Sequence, residues 1–213
     1  MSMRTLYIVT HPEASHHVEG LVGGWYDSPL TDRGLAHARA VASALRARIP
    51  DDAEAELLSS DLLRTRQTAE AIADLLAVPV RCDPRLREKS YGEAEGRPQS
   101  WLDARFLPPP TCGGRLHHDE GISGAETLAE LGTRVGAAVD DLVAREAEHQ
   151  IVVTHGGALT FAAAAFLRLP LDSLEHMRLH GTPGGITVLT EDDFFRNRSL
   201  IELNATEHLH TGG

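Results

Sequence analysis

Leu6-Tyr7-Ile8-Val9-Thr10-His11 and Ile151-Val152-Val153-Thr154-His155 are two short apolar runs that end alike, in threonine and histidine. Neither alternates strictly between apolar and polar residues. Such a run suits a strand covered on both faces inside a parallel sheet. If the two strands lie parallel as neighbours, His11 and His155 emerge on one edge of the sheet, although far apart in sequence. Ligands of open α/β sheets bind beyond the carboxyl ends of the strands, which is that edge.

Outward from these runs the period changes to helical. Leu35, Ala38, Ala42, Leu45 and Ile49 recur at helix spacing, with Thr31 as N-cap and Pro50 as stop. Leu57-Leu58 before Ser59-Ser60 reads as a strand. Leu62, Ala69, Ile72 and Leu76 mark one face of a following helix, and Val78-Pro79-Val80 an edge strand. Leu128, Leu131, Val135, Val139 and Leu142 trace a long amphipathic helix, and Gly156-Gly157 opens an alanine-rich one to about Leu167. Ile186 to Leu189 and Leu200 to Leu203 read as two late strands joined by a hairpin. Strands alternating with helices imply an α/β three-layer sandwich, a mainly parallel sheet with helices on both faces. The expected unit is a single domain over residues 1–213, with a long loop or cap excursion at about 83–123 where periodicity is weak.

Composition narrows the function classes. The 213 residues carry a net charge of −11, which argues against a nucleic-acid-binding face, because phosphate backbones must be met by clustered cations. No apolar stretch approaches the ~20 residues that cross a bilayer. The start, Met1-Ser2-Met3-Arg4, has no apolar signal region. Cys82 and Cys112 are too few for a disulfide scaffold, so the expectation is a cytoplasmic protein. The oligomeric state has no readable code, and a homodimer is left open.

The chemistry gathers where the strands end. Arg64 falls in the first turn of the helix after Ser59-Ser60, near backbone N–H groups that already favour an anion. Gly156-Gly157 gives the helix after His155 a similar start. Two imidazoles, an arginine and two helix starts make a pocket for a tetrahedral oxyanion. A neutral histidine nitrogen there can attack phosphorus and form a phosphohistidine, and an acid must protonate the departing oxygen. Glu88 is the candidate acid. Glu13 reads equally as an alternative acid or a helix cap. The bland reading of His11 and His155 is buried, hydrogen-bonded histidine, and that of Arg64 and Glu88 is solvated charge. The matching strand ends favour the pocket.

His16, His17, His117 and His118 invite a metal site among 12 histidines, but adjacent histidines cannot easily point at one ion from a regular element. They are expected instead to line the pocket mouth or to supply positive charge there. His208 and His210 are expected in a mobile tail. Trp25 and Trp101 read as loop anchors, and no metal or organic cofactor is expected.

Five blocks carry a resemblance: Leu6 to Glu13, Gly24 to Thr31, Ser59 to Ala69, Leu86-Arg87-Glu88 with Gly92 and Glu95-Gly96, and Thr154-His155-Gly156-Gly157. In this order and spacing the chain resembles the histidine phosphatase superfamily, in its phosphoglycerate-mutase-like branch. The resemblance implies the phosphoglycerate-mutase-like fold and a phosphohydrolase acting on a small phosphorylated metabolite. It also implies His11 as phosphoryl acceptor, Arg64 and His155 as phosphoryl ligands, Glu88 as general acid, and Gly24 and Gly156 near substrate. Gly124-Ala125-Glu126-Thr127 resembles the family's entry to its long helix. Thr10-His11-Pro12-Glu13 departs from the family's arginine-histidine-glycine-glutamate, so one phosphate-clamping arginine is absent. His16 and His17 stand where an asparagine is usual, and with Thr10 and Glu13 they complete the expected substrate-binding set. A phosphomutase, or a protein repurposed for ligand binding or non-phosphoryl acid/base chemistry, is the alternative.

Overall fold

The computed structural model describes residues 3–210. Met1-Ser2 and the polar Thr211-Gly212-Gly213 end, expected to fray, lie outside the described residues. Strand β1 (Arg4–Thr10) is followed by the short helix α1 (Ser15–Glu19), helix α2 (Asp32–Arg46), strand β2 (Ala55–Ser59), helix α3 (Leu63–Leu76) and strand β3 (Val80–Cys82). After a segment of short turns that contains helix α4 (Gln99–Asp103) come helix α5 (Leu128–Val143), strand β4 (His149–Thr154), helix α6 (Gly156–Phe166) and strands β5 (Ile186–Glu191) and β6 (Arg198–Ala205).

The strands form one sheet in the order β3-β2-β4-β1-β5-β6. The β3-β2, β2-β4 and β4-β1 pairs are parallel, and the β1-β5 and β5-β6 pairs antiparallel. Side chains alternate across the sheet, as period two requires. Leu6, Ile8, Leu58 and Val152 join α5 and α6 on one face. Tyr7, Val9, Leu57, Ile151 and Val153 join residues of α2 and α3 on the other. Each large side chain buried this way contributes roughly 1.5 to 3 kcal/mol. Three layers follow, as the patterning predicts.

Side-chain caps fix the starts of two of the helices, α2 and α5. Thr31 caps α2 by accepting from Gly34 N–H. Thr127 and Glu130 close a reciprocal capping box on α5. Helix α6 is apolar almost all round, and its alanines pack it tightly between the sheet and α5.

Three expectations need correction. The third strand begins at Val80, because Pro79 lacks the N–H a ladder needs. His208 is not in a mobile tail: residues Glu207–Leu209 form a helical turn, and His208 Nε2 lies 2.9 Å from Gly184 O. His117 and His118 are not at the pocket mouth. They sit in a turn of the 83–123 segment, where His118 Nε2 is 2.8 Å from Leu107 O.

Candidate active site

The parallel pairing of β1 with β4 creates the site. Thr10 lies opposite Thr154 in the ladder, so the chain leaves both strands at the same level. His11 N–H donates to Thr154 O at 3.0 Å, which holds the two exits together. The rings of His11 and His155 meet edge to face with centroids 5.0 Å apart. Strand β2 ends beside them, since Ser60 N–H donates to Val153 O, and α3 starts three residues later.

His11 is 5% exposed, and its Nδ1 sits 2.7 Å from Pro12 O. A carbonyl only accepts, so Nδ1 carries the proton and Nε2 keeps its lone pair. Nε2 accepts Arg64 Nε–H at 3.1 Å. Arg64 is 1% exposed and also donates to Tyr26 O at 2.8 Å and Gly24 O at 2.7 Å. Those carbonyls belong to the turn in which Gly24 adopts φ +55°, a conformation a side chain would strain. His155 is fully enclosed, with Nε2 3.0 Å from Ser60 Oγ and Nδ1 without a hydrogen-bond partner. It meets the site through the His11 ring rather than on the cavity wall.

Two neighbouring cavities, each of about 360 Å³, open here. Thr10, His11, His16, His17, Gly24, Arg64 and Gly156 line the first. Leu128, Leu131, Phe161, Leu174 and Met177 give the second an apolar wall. Glu88, Tyr91, Gly157 and Arg178 line both. The Glu88 carboxylate accepts Gly157 N–H at 2.8 Å through Oε2 and Lys89 N–H at 2.8 Å through Oε1. Like His155, the expected site residue Glu13 is not on a cavity wall. Its Oε1 accepts Thr31 Oγ1–H at 2.8 Å and its backbone O accepts Thr31 N–H, so it fastens the start of α2.

Sequence reasoning missed the residues that hold this wall in place. Arg134 of α5 donates to the carbonyls of Arg85, Arg87 and Glu88 and to both oxygens of Glu126. Trp25 Nε1–H also donates to Glu88 O, in line with its reading as a loop anchor. An arginine inside a helix carries no spacing signal for such a task. Nor did the 175–185 segment, which carries Arg178, show any motif.

Burial governs the charges. It pushes the His11 and His155 pKa values well below the ordinary histidine range, with the Arg64 charge as second cause. Burial likewise lowers His16 to about 3, and His17 is lowered too although its side chain reaches solvent. The histidines at the mouth therefore carry no positive charge at neutral pH. Burial lowers Arg64 to about 10, against the opposing pull of Glu88, Asp27 and Glu95, and it remains a cation. Among the described residues no group of histidine, cysteine or acidic side chains is arranged to hold a metal ion.

These shifts predict an acid-sensitive fold. In the unfolded chain His11, His16 and His155 take up protons at their ordinary pKa near 6.5, whereas the folded rings stay neutral well below it. Stability should hold above pH ~6.5 and fall below it, by about 1.4 kcal/mol per pH unit for each histidine. Urea denaturation between pH 8 and pH 5 measures this. A curve that stays level or rises toward pH 5 would contradict the burial argument.

Comparison with known proteins agrees with this geometry. The chain is 35% identical over 183 residues to a probable phosphoglycerate mutase, GpmB, of Yersinia pestis (strain Pestoides F), covering 83% of this chain and 81% of the relative. The solved mycobacterial glucosyl-3-phosphoglycerate phosphatase in complex with VO3 superposes with a TM-score of 0.78 at 27% identity, over 95% of this chain and 100% of that one. Bacillus stearothermophilus YhfR gives 0.78 at 25% identity, over 97% and 99%. No helix among the described residues is long and apolar enough to cross a membrane. The sequence model of one family matches residues 6–202, and with the fold and relatives in agreement the chain belongs to the histidine phosphatase superfamily, branch 1.

Proposed function

We propose that this enzyme hydrolyses monoesters of small phosphorylated metabolites through a phosphohistidine on His11. The observation that carries the reading is the neutral, Nδ1-protonated His11, whose Nε2 lone pair meets the buried Arg64 cation in a cavity that Glu88 also lines. Arg64 Nε–H turns from Nε2 to a phosphoryl oxygen as substrate enters. Nε2 then attacks phosphorus, the ester P–O bond breaks, and protonated Glu88 gives its proton to the departing alkoxide. Water next breaks the P–N bond, releasing phosphate and restoring His11, with Glu88 as base. His155, enclosed behind the wall with Nε2 beside Ser60 Oγ, packs edge to face on the His11 ring and holds it in place. His16, His17 and Gly156 complete the phosphoryl-side wall.

The departing alcohol occupies the second cavity, because Glu88 borders both. A substrate with an apolar or aromatic body suits the Leu128, Leu131 and Phe161 wall. Relatives named for phosphoglycerate and glucosyl-3-phosphoglycerate make such esters part of the panel to test. Thr10 and Pro12 stand where the resembled family has arginine and glycine. Pro12 still supplies the carbonyl that sets the His11 tautomer. Cys82 and Cys112 are both free and exposed, which supports a reducing, cytoplasmic setting.

A panel of phosphomonoesters, with quenching under non-acidic conditions, tests the reading. Free phosphate and a transient phosphohistidine are expected. Phosphate moved within the substrate, with little reaching water, would identify a mutase. No turnover on any ester would leave a ligand-binding protein, the alternative that Thr10 and Pro12 motivate.

Glycine at 157 supplies a second test. A Cβ there would lie 2.4 Å from Glu88 Oε1, so Gly157→Ala must displace the carboxylate. Alanine also favours the first turn of α6, by up to about 1 kcal/mol. The expected result is an unchanged or raised Tm with kcat down about 100-fold. Wild-type kcat in a stable Gly157→Ala variant would remove Glu88 from the reaction.

A further inference from the structure

The lysines and arginines on the two cavity walls are engaged by the protein, with one exception. Arg64 serves His11 and two carbonyls, Lys89 pairs with Glu120 at 2.7 Å, and Arg115 donates to the Glu175 and Pro110 carbonyls. Arg178 lines both cavities and has no hydrogen bond or ion pair among the described residues.

Its backbone, by contrast, is well held. Leu179 N–H donates to Thr160 Oγ1 at 3.0 Å and Thr182 N–H to Asn204 Oδ1 at 2.7 Å. Gly184 N–H donates to Thr10 O at 2.9 Å, and Thr10 N–H to Gly185 O at 3.1 Å. The segment thus crosses directly over Thr10, so closely that a Cβ on Gly181 would lie 3.0 Å from Thr10 Oγ1. A long side chain at position 10 would run into this crossing. The small residue at 10 and the segment that brings in Arg178 are therefore two parts of one arrangement.

We propose that Arg178 is the second phosphoryl-binding cation of this enzyme, reaching from the 175–185 segment to the group that Arg64 holds from α3. The ligand is a phosphomonoester dianion or its pentacoordinate mimic, vanadate. The proposal rests on the phosphohydrolase reading for its catalytic part, but its binding part can be measured without turnover. Because the Arg178 side chain is exposed, its replacement leaves the core intact.

Arg178→Ala and Arg178→Lys are compared with wild type by calorimetric binding of vanadate and inorganic phosphate. Their kcat/KM is measured on p-nitrophenyl phosphate and on an alkyl phosphate. For Arg178→Ala we expect vanadate binding weakened about 10- to 100-fold, with kcat/KM lowered to a similar degree on both esters. Lysine should retain part of the affinity, and added guanidinium, against a sodium chloride control, should restore part of the alanine variant's rate. Vanadate and phosphate affinities within about twofold of wild type would overturn the proposal. So would a loss of kcat/KM confined to one of the two esters, which would make Arg178 a reader of the departing alcohol. A wild type that binds vanadate through Arg178 yet hydrolyses no ester would sink the hydrolase reading and leave the clamp standing. A wild type that binds neither ion would end both.

Discussion

Replacing His11 with alanine should lower phosphate release by at least about 10⁴-fold, because its Nε2 is the lone pair held beside the Arg64 cation on the cavity wall. His16 Nδ1 is held 2.6 Å from Ser28 Oγ, His17 Nδ1 accepts Ala14 N–H, and His155 is off the wall. Protein-bound phosphate should vanish with the activity. The variant also leaves Arg64 Nε–H without an acceptor in a buried position, which costs about 1 to 3 kcal/mol, so its melt should be recorded alongside its rate. A folded variant that keeps a hundredth or more of wild-type turnover would mean another nucleophile.

Arg64→Met should lower kcat/KM by about 10³-fold, and it tests electrostatics as well as contact. Methionine fills similar volume without charge. Two consequences separate from simple misfolding. The carbonyls of Gly24 and Tyr26 lose their donors, and the fold should weaken by about 2 to 5 kcal/mol, visible in urea denaturation. The His11 pKa should rise toward the ordinary histidine range, since the Arg64 charge is, after burial, the next cause of its depression. The acid limb of the pH–rate profile should then move to higher pH. An acid limb that stays where it is in wild type would show that Arg64 does not set the proton affinity of His11.

Much of this site is legible in sequence because it depends on register. Thr10 and Thr154 mark the ends of parallel neighbours, so His11 and His155 had to converge, and Arg64 follows β2 at the same edge. A helix start was equally readable where the cap is local, as at Thr31. What stayed hidden depends on chain reversal. Strand β5 runs against β1, so its beginning, rather than its end, reaches the edge where the histidines emerge. That sense is not written in Ile186 to Leu189, and with it the 175–185 segment and Arg178 went unread. Glu13, read equally as an acid or a helix cap, could not be decided from sequence for a related reason: its neighbourhood is set by α2 folding back onto residue 13, a contact between segments 18 residues apart.

Helix α6 begins with His155 as its cap and Gly157 as the donor to Glu88, and its alanines leave little room against the sheet and α5. A rod wedged that closely cannot slide without dragging the imidazole and the carboxylate along together. Heating should therefore loosen both partners together, so that along this wall loss of activity and loss of structure coincide.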